Sequence, residues 1–124
     1  MKTLFSLLAL ALLVAPLMIV NAAPDLKPAT RTGMFEVPLP SGARLIKGIP
    51  AKPGKEAQQI YALKATTEQI IGFYEKYLPL KGWSLYAIKN RPDRIVYQKV
   101  LVVIAISVDE KKGTFTLKGH KSEP

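Results

Sequence analysis

His120 is the only imidazole in this chain of 124 residues, and it stands in a lysine-flanked stretch near the C-terminus. Acid–base catalysis and metal binding both need companions around a histidine, and none accompanies this one. Glu68 and Glu75 are seven residues apart and share one stripe of a helix, but that stripe faces away from the apolar side. Ser41, Ser84 and Ser107 have no histidine within the main body of the chain to activate them. Gly42, Gly48 and Gly54 are spread through turns and make no phosphate-binding loop. The chain has no cysteine, which removes thiol catalysis, cysteine metal sites, disulfides and a lipid-modified N-terminal cysteine. These residues predict no catalytic set, no metal site and no cofactor, and hence not an enzyme.

Two other groups of residues point to binding. Lys89, Arg91, Arg94 and Lys99 lie among Trp83, Tyr86 and Tyr97, and interleaved cations and aromatics can grip an anionic polymer. An ordinary charged hairpin has the same composition. The second group is the run over 100–108. Val100, Val102, Ile104 and Ile106 fall on one face of a strand, and Leu101, Val103 and Ala105 on the other. One helix covers only one face of a sheet. The other face must be covered by the lead-in over 35–50, by a protein partner or by a second copy, because an exposed apolar strand aggregates.

The elements that carry these residues follow from local pattern. Thr66 with Gln69 three residues on reads as a capping box. Ile70, Ile71, Phe73, Tyr74, Tyr77 and Leu78 fall within an arc of roughly 160° at helical spacing. The helix therefore runs from about 67 to 78 or 80, with Pro79 and then Gly82 marking its end. Phe73, Tyr74, Tyr77, Leu78 and Trp83 read as structural core rather than as a ligand-stacking set.

Strands are expected over 44–49, 58–64, 83–89, 95–97, 100–108 and 114–118. Arg91-Pro92-Asp93-Arg94 has proline at the second position of a type I turn. Gln98-Lys99 is either a tight turn between two strands or the middle of one long strand, and strand-length statistics favour two strands. The segment 23–34 reads as a linker and 120–124 as a polar tail, with one domain over 35–119. The fold class is α+β: an antiparallel sheet of four to five strands with one main helix on one face.

Met1-Lys2-Thr3 is followed by an apolar run from Leu4 to Val20, broken by Ser6 and Pro16, and then by Val20-Asn21-Ala22. That is the pattern of a signal peptide over 1–22, cleaved after Ala22, and it predicts an exported protein, periplasmic or secreted. An uncleaved anchor is the alternative; at about 20 apolar residues for a span the run is slightly short. Eighteen Lys and Arg against nine Asp and Glu give a formal charge of +9, or +8 without Lys2. Such a charge favours solubility and suits anionic polymer or lipid head groups, while nucleic acid is disfavoured for an exported chain.

The stretch Phe73-Tyr74-Glu75-Lys76-Tyr77-Leu78-Pro79-Leu80-Lys81-Gly82-Trp83 resembles a small exported bacterial domain of unknown function, with the helix-end pattern F-Y-x-x-x-L-x-x-x-G-W, often seen in envelope lipoproteins. Pro40-Ser41-Gly42-Ala43 matches the P-x-G-A turn of those domains. The resemblance covers roughly 35–118 and implies a ββα unit followed by strands. It implies no activity, and this chain lacks the lipid-attachment cysteine. The expected function is a non-catalytic envelope domain binding a protein partner or itself (a homodimer) through its sheet. The alternative is a basic module for anionic envelope polymer or lipid head groups.

Overall fold

The structure, a computed structural model, describes residues 24–50, 52, 54–86 and 91–121. The expected leader over 1–22 lies outside the described residues, as do Lys89 and the last three positions of the tail.

Helix α1, Thr67–Leu80, starts and stops on local chemistry. Thr66 Oγ1 accepts the Gln69 amide at 3.1 Å, and Gln69 Oε1 accepts the Thr66 amide at 2.9 Å. Glu110 Oε1 accepts the Thr67 amide at 2.7 Å, so a third amide of the first turn finds a partner. At the other end the Trp83 amide donates to the Leu78 carbonyl and the Gly82 amide to the Pro79 carbonyl, each at 3.1 Å. Gly82 has φ +92, which only glycine adopts freely. This is a Schellman motif, completed by the contact class it favours, with Leu78 and Trp83 both buried. The L-x-x-x-G-W portion of the helix-end pattern is therefore a helix stop written in sequence.

Among the described residues eight strands accompany the helix: β1 (Pro28–Thr32), β2 (Pro38–Pro40), β3 (Arg44–Ile49), β4 (Ala57–Ala62), β5 (Ser84–Leu85), β6 (Arg94–Lys99), β7 (Val102–Asp109) and β8 (Thr114–Lys121). β1 and β2 form a separate two-stranded ladder, and the other six make one antiparallel sheet in the order β3-β4-β8-β7-β6-β5. The α+β class with one helix on an antiparallel sheet is as expected. The strand count is corrected from four to five to six in the main sheet. Outside that count, two segments read as unstructured also carry strand residues. The linker contains β1, held where Ser41 donates to the Lys27 carbonyl and Arg31 Nη2 to the Ala43 carbonyl, both at 2.7 Å. The tail contributes His120 and Lys121 to β8, opposite Val103 and Val102.

Register sorts the side chains into two faces. Tyr61, Phe115, Leu117, Ile104, Ile106, Val108, Ile95 and Tyr97 point to the core face, where α1 lays Ile70, Phe73, Tyr74 and Leu78 on them. Tyr61 and Phe115 stack at 5.3 Å, and Tyr74 meets Phe115 edge-on at 6.0 Å. The lead-in, one of the three covers considered for the outer face, does not lie on it. Val37 and Leu39 are buried on the helix side, and β2 packs against α1. The outer face instead keeps Ile60, Val103 and Ala105 half-buried, with Lys118 opposite Ala105 and His120 opposite Val103. Val96, opposite Ala105, is buried on this face as well.

Gln98 and Lys99 are not a turn but the end of β6. Two strands form here, as favoured, but the reversal falls two residues later on Val100-Leu101, with Lys99 opposite Val102. The longer ladder gains the pairs Gln98–Val103 and Lys99–Val102. It forces Val100 to φ +54, left-handed backbone that a β-branched residue occupies only under strain. Val100 is 91 % exposed, so no packing is lost on shortening it. Val100→Gly is expected to stabilise the domain by about 1 kcal/mol, the relieved strain less the added chain entropy of glycine. Thermal unfolding checks this, with a rise of about 4–8 °C expected for a domain of this size; a fall would show the turn to be unstrained.

Candidate functional site

The cross-strand register brings four side chains into one row at the end of the sheet that α1 leaves uncovered. Lys99 opposes Val102, Val102 opposes Lys121, and Trp83 precedes the β5–β6 pair Ser84–Gln98. Lys99 and Lys121 thus rise from the core face on either side of Val102, their backbones roughly 10 Å apart across two strand spacings. The Lys99 ammonium lies 5.9 Å from the centre of the Trp83 ring, a cation–π contact. The Lys99 stem runs past Gly82, where an added Cβ would stand 3.3 Å from Lys99 Cε. Among the described residues neither lysine has a carboxylate within ion-pair distance.

The row forms the floor of an open cavity of about 410 Å³, bordered by Phe35, Glu36, Val100 and Leu101. Phe35, Glu36 and Val100 have φ of +52, +59 and +54 and are the non-glycine residues with left-handed backbone among those described. All three border this one cavity. Strained backbone of this kind persists only where surrounding structure holds it, and it gathers at ligand sites. Here the holding group is Gln59: its Oε1 accepts the Met34 amide at 2.8 Å and the Tyr61 hydroxyl at 2.9 Å. That anchor fixes the short 3-10 turn Met34–Glu36 onto β4.

The expected basic cluster does not assemble. Arg94 and Lys99 sit at opposite ends of β6, roughly 17 Å apart along the strand, and on opposite faces. Arg91 is exposed at the far turn and pairs with Asp93 at 3.7 Å. That turn is the expected one, with the Arg94 amide donating to the Arg91 carbonyl at 3.1 Å. Lys89 lies outside the described residues. Of the four, Lys99 reaches the cavity, and its true companion is Lys121.

The expected apolar interface divides as well. Ile104 and Ile106 are fully buried beneath α1, so they cannot meet a partner of the folded domain. Val100 is on the turn and Val102 is half-buried in the cavity floor. The expected core residues are placed as read: Phe73, Tyr74, Leu78 and Trp83 are buried, and Tyr77 is partly buried against Phe73 at 4.8 Å.

Phe35, Glu36, Leu101 and Lys121 are the lining residues that sequence reasoning missed. Lys121 had a signal, since Phe115, Leu117, Gly119 and Lys121 keep period two. Phe35 and Glu36 had none, because their position depends on a hydrogen bond to Gln59, over twenty residues away. His120 faces outward, 4.0 Å from Glu56. No group of acidic residues and histidine able to hold a metal occurs among the described residues. Nor is any described helix long and apolar enough to cross a membrane. Comparison of the chain with protein-family models, curated proteins and solved structures finds no match.

Proposed function

We propose that this chain is an exported, non-catalytic binding domain that holds an anionic group of the bacterial envelope, on a polymer or a lipid head group, between Lys99 and Lys121. One observation carries the reading: two lysines without carboxylate partners, one of them over Trp83, stand on one face of the sheet in a cavity bordered by all the strained non-glycine residues described. Two cations whose backbones the sheet holds at a set spacing, one of them resting near an indole ring, are partly prepared for an anion before it arrives. The apolar leader supports export, and the helix-end pattern supports kinship with small envelope domains. A protein partner or a second copy would need another surface. Of the two edges of the main sheet, β5 is only two residues long and β3 is the longer, with Leu45, Ile46 and Ile49 exposed. That edge carries a bulge at Ile46 and the charges Arg44 and Lys47, which are devices that prevent edge pairing.

Trp83 is the single tryptophan of the chain, so its fluorescence reports from the site itself. Vesicles containing phosphatidylglycerol are expected to shift it, and phosphatidylcholine vesicles are not. Binding should weaken steeply as salt is raised. Lys99→Met with Lys121→Met keeps the side-chain stems and should cost about 30-fold in affinity, at about 1 kcal/mol per lysine. Arg91→Met should leave affinity unchanged. Salt-independent binding, or a double variant that binds like the parent, would sink the reading.

A further inference from the structure

We infer that the ligand is a single-chain anionic amphiphile, with its head between Lys99 and Lys121 and its hydrocarbon chain in a second cavity beyond Phe35. This rests on the anion reading above and adds the chemical class. The second cavity holds about 420 Å³ and is lined by Met34, Phe35, Gly48, Ile49, Pro50, Ala57 and Gln59. Phe35 borders both cavities. The two differ in chemistry. The first has two lysines, a glutamate and an indole. The second has no charged side chain, and the Gln59 side-chain oxygen already takes two hydrogen bonds. Uncharged walls of methionine, isoleucine, proline and alanine suit hydrocarbon and leave nothing for a second charge to pair with.

Phe35 is the partition, and it is held there by design of the backbone. Two consecutive left-handed residues, Phe35 and Glu36, swing the ring over Gly119. An added Cβ at Gly119 would stand 3.0 Å from Phe35 Cε2, so the ring rests on bare backbone. A ligand entering between the lysines meets the edge of this ring and then an uncharged cavity on its far side. A polymer of repeating anions would match the first cavity and not the second. A cationic mouth continued by an apolar recess complements one anionic head with one alkyl tail.

The test titrates the full mature chain with free alkyl phosphates of four, eight, twelve and sixteen carbons, kept below their micellar concentrations. Glycerol phosphate and phosphatidylglycerol vesicles are the reference ligands, and Trp83 fluorescence is the readout. Affinity is expected to rise by up to about fourfold per methylene and to level off once the second cavity is full. Ile49→Asp puts a charge into the second cavity at a residue 41 % exposed, where folding tolerates it. It is expected to flatten the chain-length dependence while glycerol phosphate binds as before. Equal affinity for glycerol phosphate and the sixteen-carbon ligand would overturn the amphiphile and leave the anion site standing. Binding to vesicles without binding to free monomers would likewise overturn it, because the head group would then be read at a bilayer surface. No binding of any of these ligands, or binding indifferent to Lys99→Met with Lys121→Met, would overturn both.

Discussion

Tyr74→Phe is expected to stabilise the domain by about 1–3 kcal/mol, the cost of a buried polar group left without a partner. Tyr74 is fully buried, edge-on to Phe73 at 5.0 Å and to Phe115 at 6.0 Å. Its hydroxyl is the buried side-chain polar atom that meets no protein hydrogen-bond partner among the described residues. Phenylalanine keeps the ring contacts and removes the oxygen, so no cavity larger than a hydroxyl is created. The same residue governs the alkaline limit. Burial, and to a lesser degree the neighbouring Tyr61, pushes the Tyr74 phenol well above its ordinary value of 10.0. The folded chain then keeps a proton that the unfolded chain releases near 10.0. Stability is therefore fully present below that pH and is lost as pH rises from there toward the folded value, by up to about 1.4 kcal/mol per pH unit for one group. Tyr61 and Tyr97 are raised by burial in the same sense, so the variant retains part of the slope. Urea unfolding at pH 8 and pH 11 separates the two effects. The variant should gain at pH 8 and gain more at pH 11; a loss at pH 8 would mean that the hydroxyl is satisfied in the core.

What could be read from the sequence was written in local chemistry. Thr66 and Gln69 close a ring of two hydrogen bonds within four residues, and Gly82 supplies a backbone angle that its neighbours cannot. Both ends of α1 were therefore legible, as was the turn centred on Pro92-Asp93. The parts that were not legible depend on partners far along the chain. β1 is nearly all exposed and has no apolar period; it is a strand because Lys27 and Arg31 bond to residues 41 and 43. Lys121 continues the period-two run from Phe115, but in so polar a stretch that only its pairing with Val102 across the ladder makes it part of β8. At Val100 the gain of two further ladder pairs overrides the poor fit of valine to left-handed backbone, so strand length told that a reversal was due and no local propensity told where. The same long-range terms hid the site. Lys99 was visible beside Trp83, whereas Lys121 and Phe35 join it only through register and through Gln59. Arg91 and Arg94 are close to Lys99 in sequence, but strand direction and face parity carry them away from it.

Gly119 is where the fold and the site meet, and Gly119→Ala is expected to cost about 1–3 kcal/mol by overpacking. A methyl group there would stand 2.9 Å from Ile104 Cγ2, 3.0 Å from Phe35 Cε2 and 3.1 Å from the Val103 carbonyl oxygen. The Val103 oxygen is fixed in the ladder, and Ile104 is fully buried beneath the helix. Phe35 is only partly buried and sits on a turn anchored through Met34, so it is the group able to yield. The alanine methyl should therefore lift Phe35 and join the two cavities that it divides. A double-mutant cycle with Phe35→Ala measures this directly, because residues in contact give non-additive changes. If the clash is mainly with Phe35, Phe35→Ala should cost less in the Gly119→Ala background than in the parent, by about 1 kcal/mol. Additive costs would place the clash on Ile104 and the Val103 oxygen instead, and Phe35 would then owe its position to the Gln59 anchor rather than to its seat on Gly119.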